Sequence, residues 1–153
     1  GYGSGPAGGG TWKEFLLNEI KPQLKDSEWG RLHFVGHLPY HYFLNLLQVS
    51  SVHVYLTYPF VLSWSLLEAM SVGCAVVASR TGPVTEVITD DSTGKLVDFF
   101  DIEGLAQQVG ELLNDPQKRT VLGREARGLA IQNYDLTRVC LPRHVEWVEG
   151  MLN

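Results

Sequence analysis

The sequence predicts an α/β fold, a Rossmann-like parallel sheet with helices on both faces. Three observations predict it. Strand-like and helix-like stretches alternate along most of the chain. The strand-like stretches are short and apolar throughout, as in strands buried on both faces. Hydrophobic residues make up 44% of 153 residues, an ordinary globular value with room for one domain and its core.

Residues 1–10 hold six glycines and no charge, and they read as a linker or surface loop. A phosphate loop would follow a strand and end in Gly-Lys-Ser/Thr or a helix start, and neither adjoins this stretch. Thr11-Trp12-Lys13-Glu14 fits a capping box opening a helix that runs to about Ile20 and is closed by Pro22. Leu32-His33-Phe34-Val35 reads as a strand ending in Gly36. Residues 40–49 have helical spacing, with Phe43, Leu44 and Leu47 on one face. Residues 52–56 read as a strand ending in Thr57-Tyr58-Pro59, and residues 63–72 as a helix stopped by Gly73. Ala75-Val76-Val77-Ala78 is a strand rich in β-branched residues. A helical turn near residues 85–87 leads to a last strand at 95–98. Helices at 102–114, 116–132 and 136–152 finish the chain, with Asp101 as an N-cap and Asp115-Pro116 marking a start. Four strands are narrow for this architecture, so two or more further strands are expected before Gly1.

Several function classes are disfavoured. The net charge is −5 and no stretch concentrates Lys and Arg, so a nucleic-acid partner is not expected. Cys74 and Cys140 lie in separate elements with apolar surroundings and read as unpaired thiols in a reducing compartment. No apolar run approaches the ~20 residues of a membrane span, and no secretory segment opens the chain, so the expected location is cytoplasmic. His33, His37, His41 and His53 match no usual ligand spacing, and strand alternation would turn His33 and His53 toward packed faces; no metal is expected. The helix carrying Trp147 and Val148 lacks the basic face of a membrane-surface element.

Ligands of open α/β sheets bind outside the carboxyl ends of the strands. Here that places Gly36-His37-Leu38-Pro39, residues 57–63, Ser79-Arg80-Thr81-Gly82-Pro83 and residues 98–101 around one site. The most informative segment is Ser63-Trp64-Ser65-Leu66-Leu67-Glu68. Ser63 can cap the helix, leaving the N–H groups of Trp64 and Ser65 for an anion. Glu68 sits one turn deeper, within reach of a hydroxyl-bearing group beside that anion. Phosphate at the helix start and ribose on Glu68 describe a nucleotide. From the residues alone, a solvent-facing Glu68 and a merely capping Ser63 account for the segment equally well.

The run from Phe60 to Ala78 resembles the donor-site signature of the glycosyl transferases group 1 family, retaining enzymes of the two-Rossmann-domain GT-B fold. Phe34-Val35-Gly36 is similar to that family's strand and glycine before the base-binding loop. Gly82-Pro83 with Glu86-Val87-Ile88 resembles its Gly…Glu-Val-Ile segment. Asp90-Asp91-Ser92-Thr93-Gly94-Lys95-Leu96-Val97 resembles its Asp-Gly-x-x-Gly-x-Leu-Val turn. The likeness spans residues 32–134, with its motifs in the family's order.

The resemblance implies that residues 11–153 are the donor-binding, C-terminal part of such an enzyme. Glu68 would hold the donor's ribose, the backbone N–H groups of Ser63, Trp64 and Ser65 its diphosphate, and the backbone at Gly36 and His37 would border the base. The co-substrate would be a nucleotide-diphosphate sugar, with no other cofactor. An N-terminal domain, supplying the acceptor site and an Arg/Lys pair, would precede it, and a peripheral membrane contact through that domain stays open. The 153 residues alone would be inactive. Where the family has an acid touching the transferred sugar, this chain has Phe60, and where it often has Gly-Phe-Gly the chain has Val61-Leu62-Ser63. Either the sugar is held in another way or transfer is impaired; the ordinary Glu68 helix favours the first. The rivals are a non-catalytic nucleotide-binding or regulatory domain and, more weakly, a sugar-nucleotide epimerase. The sugar, base and acceptor are not legible.

Overall fold

The computed structural model describes residue 6, residues 9–58 and residues 60–152. The glycine-rich opening therefore lies outside the described residues apart from Pro6, Gly9 and Gly10, and so does Pro59. By its internal contacts the chain forms two units, Gly1–Leu38 and Pro39–Asn153, a division that falls within the stretch 11–153.

In the first unit, helix α1 (Trp12–Ile20) begins with the predicted capping box. The Thr11 hydroxyl accepts from the Glu14 N–H at 3.2 Å, and the Glu14 carboxylate accepts from the Thr11 N–H at 2.9 Å. A 3-10 turn at Lys21–Gln23, forced by Pro22, leads to the short α2 (Asp26–Trp29), which the sequence reading does not anticipate. Residues 32–35 form no strand, which corrects that expectation. Leu32, Phe34 and Val35 are exposed, and Phe34 instead lies beside the Trp29 ring and under the Lys13 ammonium. A short apolar run marks a strand only where a partner edge takes its backbone N–H and C=O groups, and none does here. His33 is accordingly exposed rather than packed.

The second unit opens with α3 (Tyr40–Val49) and, among the described residues, contains the other three expected strands: β1 (His53–Tyr55), β2 (Val76–Ser79) and β3 (Lys95–Val97). They pair in parallel in the order β1-β2-β3. Helix α4 (Trp64–Ser71) connects β1 to β2, and the short α5 (Gly82–Thr85) lies between β2 and β3. Helices α6 (Ile102–Asn114) and α7 (Pro116–Tyr134) follow, each N-capped by the predicted aspartate, Asp101 and Asp115. A π-helical turn at Leu136–Cys140 joins α7 to α8 (Leu141–Met151), where the sequence suggests one uninterrupted helix.

Strand β2 is wholly buried and feeds both layers, because successive side chains leave a strand on opposite faces. Val76 and Ala78 pack with Leu47, Leu66, Ala69, Met70 and Ala126, while Ala75 and Val77 pack with Val97, Leu112 and Leu122. Helices therefore cover both faces, as predicted for a parallel sheet. At the end of β2, the Ser79 hydroxyl bridges to β1, donating to the Thr57 carbonyl at 2.8 Å and accepting from its N–H at 3.0 Å.

Helices α4 and α7 meet through two glycines. Gly73 turns the chain out of α4 at φ +80°, and a Cβ on Gly123 would overlap the Gly73 carbonyl oxygen. Arg127 ties the crossing by donating to the Ser71 carbonyl at 2.6 Å. The turn before β3 is held by two carboxylates. Asp90 accepts from the Leu96 N–H at 2.9 Å and from Arg80 at 2.6 Å. Asp91 adopts φ +58°, at the position where the resembled motif has glycine, and pairs with Lys95 at 2.6 Å. Aspartate is among the few residues that accept this left-handed backbone. Both cysteines are free; Cys74 is buried, and that burial pushes its thiol pKa up.

His53 stands at the start of β1 with its Nε2 buried and without a partner among the described residues. Burial pushes its pKa below the ordinary value, so the folded protein holds the ring neutral. The unfolded chain takes up this proton first as pH falls, so the stability His53 contributes is complete above its unfolded pKa of ~6.5. It is then lost progressively as pH falls toward the folded value. Urea midpoints measured from pH 7.5 to 5.5 should decline in the wild type and decline less steeply in His53→Gln. Equal slopes would show that His53 does not carry the effect.

Candidate functional site

The three parallel strands end on one edge of the sheet, and the loop that leaves β1 there leads to Ser63 and the start of α4. The rings of Tyr58, Phe99 and Phe100, which follow β1 and β3, meet there with centroids 5.0–5.2 Å apart. Phe60 and Trp64 are exposed.

The start of α4 is positioned by Tyr55, the last residue of β1. This side chain is buried, and its hydroxyl oxygen accepts from the Ser63 N–H at 2.9 Å. Ser63 is the N-cap, as predicted: its Oγ accepts from the Ser65 N–H at 3.3 Å and lies 3.0 Å from the Ser65 hydroxyl. Of the three backbone donors assigned by resemblance, those of Ser63 and Ser65 thus already have protein partners.

Below this turn opens a cleft of about 470 Å³ whose walls include Trp64, Leu67, Glu68 and Ser71 of α4, Tyr40 of α3 and the end of α7 at Ala130, Ile131 and Tyr134. Glu68 faces this cleft because Leu66, Ala69 and Met70 occupy the buried side of the same helix. Helical geometry puts residue 68 roughly one turn beyond Trp64, on the same face. The nearby Glu68 carboxylate, which draws on the Tyr40 phenol proton, together with some desolvation, holds the Tyr40 pKa above its usual value.

The cleft lining contains two carboxylates, Glu68 and Asp135, and no lysine or arginine. Asp135 is already engaged as a cap, accepting from the Arg138 N–H at 2.8 Å. Such a lining suits a neutral, hydroxyl-bearing group on Glu68 and disfavours an anion deep in the cleft.

Gly36 and His37 belong to the first unit, where both are exposed and Gly36 turns the chain at φ +66°. That unit holds a larger hollow of about 670 Å³ beside α1. Its one carboxylate, Glu14, is spent on the Thr11 cap, and Lys21 lies over the Trp29 ring, so no chemistry converges there. Among the described residues no His/Cys/Asp/Glu cluster suits a metal, and no helix is long and apolar enough to cross a membrane. Tyr40 is the site residue that sequence reading misses. The available signal is its place directly after Gly36-His37-Leu38-Pro39, at a helix start among ligand-side loops.

A sequence profile of the family described as "Glycosyl transferases group 1" matches residues 7–129. The chain is 38% identical over 68 residues to a GDP-mannose-dependent alpha-(1-6)-phosphatidylinositol monomannoside mannosyltransferase of Mycolicibacterium smegmatis; the match spans 44% of this chain and 18% of that protein. In structure it resembles the C-terminal domain of a glycosyl transferase group 1 family protein (LpcC) from Francisella tularensis. The TM-score is 0.72 at 23% identity, over 82% of this chain and 64% of the other. It also resembles Anabaena Alr3699/HepE, solved with UDP-glucose, at a TM-score of 0.74 and 21% identity, over 82% of this chain and 33% of that one. At such identities the structural likenesses speak for the fold alone.

Proposed function

Because the chain belongs to the glycosyl transferases group 1 family and has the fold of a GT-B C-terminal domain, we propose that it is the donor-binding part of a transferase. The full-length enzyme moves a sugar from a nucleotide-diphosphate sugar to an acceptor with retention at the anomeric carbon. The carrying observation is Glu68, set on the open face of α4 in a cleft without cations, one turn below the helix start.

In this reading residues 11–153 form the donor domain. Glu68 accepts a hydrogen bond from the ribose, and the diphosphate lies at the first turn of α4. The Trp64 N–H and the helix dipole meet it there. The Ser65 N–H is held by a neutral hydroxyl at 3.3 Å, a long bond that a phosphate oxygen displaces readily because charge-assisted bonds are shorter and stronger. When the sugar–phosphate bond breaks, the diphosphate leaves with the electron pair, and donors already aimed at it stabilise that charge without reorganising. An N-terminal domain supplies the acceptor site and the Arg/Lys pair that completes neutralisation. The 153 residues alone are then inactive, since an unpositioned acceptor forfeits a proximity contribution of ~7–11 kcal/mol. The enzyme works in the cytoplasm, with no cofactor beyond its co-substrate.

Glu68→Ala in the full-length protein should weaken nucleotide-sugar binding about ten- to a hundredfold. A hydrogen bond to a charged group contributes ~1.5–3 kcal/mol, and ~1.4 kcal/mol is tenfold in affinity. The melting temperature should hardly move, because Glu68 faces the cleft rather than the core. Calorimetric titration with UDP-glucose and GDP-mannose measures both arms, and unchanged affinity would remove Glu68 from the site. The exposed Phe60, in place of an acid, favours one other reading, a nucleotide-binding domain without catalysis. A full-length protein that binds donor but transfers no sugar to any acceptor would select it.

A further inference from the structure

Resting on the donor-site reading above, we propose that Tyr58, Phe99 and Phe100 form an aromatic platform that holds the donor's transferred sugar by stacking on its C–H face.

Tyr58 follows β1, whereas Phe99 and Phe100 follow β3, and β2 lies between those strands. The three rings therefore meet across the carboxyl end of the middle strand, the side on which ligands of open α/β sheets bind. Each ring touches the other two; Phe99 and Phe100 stand edge to face, 85° apart with centroids at 5.0 Å. The flanking aspartates are spent on the backbone. Asp98 accepts from the Phe100 N–H at 2.9 Å, and Asp101 from the Gly104 N–H at 2.8 Å. Tyr58 and Phe100 are nonetheless 58% and 69% exposed. Rings that already order one another offer this apolar area at little further cost in side-chain entropy. Their electron-rich faces attract weakly positive C–H groups. Glucose and mannose each carry axial hydrogens at C3 and C5 on one face of the ring, so either can stack while its hydroxyls point away. Residues 56–67, which run from β1 into α4, hold no charged side chain, so this loop has no carboxylate with which to grip sugar hydroxyls. Phe60 stands exposed within it, where the resembled family has an acid. Stacking is the hold that such a loop retains. The same loop ends at Ser63, the cap of the helix start where the reading above lays the diphosphate, and a sugar bonded to that diphosphate has to lie beside it.

Calorimetry on the full-length protein compares UDP with UDP-glucose and GDP with GDP-mannose, so that each pair isolates what the sugar adds. The variants are Phe100→Leu, which keeps apolar bulk without a ring face, Phe100→Trp, which keeps the face, and Glu68→Ala. Phe100 is exposed, so its two variants should melt like the wild type. In the wild type at least one sugar nucleotide should bind more tightly than its bare nucleotide. Phe100→Leu should weaken that sugar nucleotide about three- to tenfold and leave the bare nucleotide unchanged within about twofold. Phe100→Trp should restore the difference. Equal losses for both ligands would mean that the rings serve the base or the fold. Sugar-nucleotide affinity kept in Phe100→Leu, with the KM for an acceptor raised instead, would give the platform to the acceptor. Either result, or a wild type that gains nothing from the sugar in both pairs, overturns the inference. If Glu68→Ala still weakens binding of the bare nucleotide in that case, only the platform falls. If Glu68→Ala also binds like the wild type, the donor-site reading falls, and this inference with it.

Discussion

Gly123→Ala is expected to destabilise the second unit by about 1–2 kcal/mol, although alanine is the better helix former. The methyl group would overlap the Gly73 carbonyl oxygen, an approach that no Cβ tolerates, and would stand 3.0 Å from its carbon. The obstacle is backbone, so no side-chain rotation relieves it; α7 must move off the end of α4. Forcing extra atoms into a packed core costs ~1–3 kcal/mol and occasionally more. The helix-propensity gain of ~1 kcal/mol offsets part of that. Gly73 cannot yield, because its φ of +80° already makes the turn from α4 into β2. Gly128, on the same helix with nothing within 4 Å of its virtual Cβ, is the internal control. Gly128→Ala should raise stability by ~0.5–1 kcal/mol. Urea denaturation of both variants should move the midpoints in opposite directions. A Gly123→Ala midpoint at or above the wild type would show that the helices have room to part.

Leu66→Ala should cost about 2–5 kcal/mol, the usual range for deleting a buried leucine side chain when the surroundings close only partly. Leu66 is 0% exposed and packs in the layer formed by Ala69, Met70, Val76 and Ala78. It lies two residues before Glu68 and on the opposite side of α4, so it anchors the helix that presents the carboxylate. The urea midpoint should fall with an unchanged slope, as for a loss of stability without a change in the denatured state. A loss below about 1 kcal/mol would mean that α4 is seated less firmly than its burial implies. Comparison with Glu68→Ala separates two roles on one helix, since that variant should lose ligand rather than fold.

The candidate site was half legible in the sequence. Ser63 is a cap by residue type, and a capping serine opening an amphipathic run announces a helix start. The same run places Glu68 on the face away from Leu66, Ala69 and Met70. The partners of those groups were not legible. Tyr55 takes the Ser63 N–H, and Tyr40 lines the Glu68 cleft from another helix. Both pairings join residues distant in the chain, which no local pattern encodes.

Local chemistry alone determined the capping box at Thr11, the aspartate caps at Asp101 and Asp115, the helices they open, and the buried strand at Val76–Ser79. In each case a backbone group and its partner lie within a few residues, or the side chains cannot tolerate water on either face. Tertiary structure decided what depends on a remote neighbour. Residues 32–35 have the composition of a strand but no edge to pair with, whereas His53–Tyr55 has β2. Gly123 reads as an unremarkable helix glycine until Gly73 comes to lie against it. A strand, a helix crossing and a shaped cleft each need two surfaces, and only the folded chain brings the second one within reach.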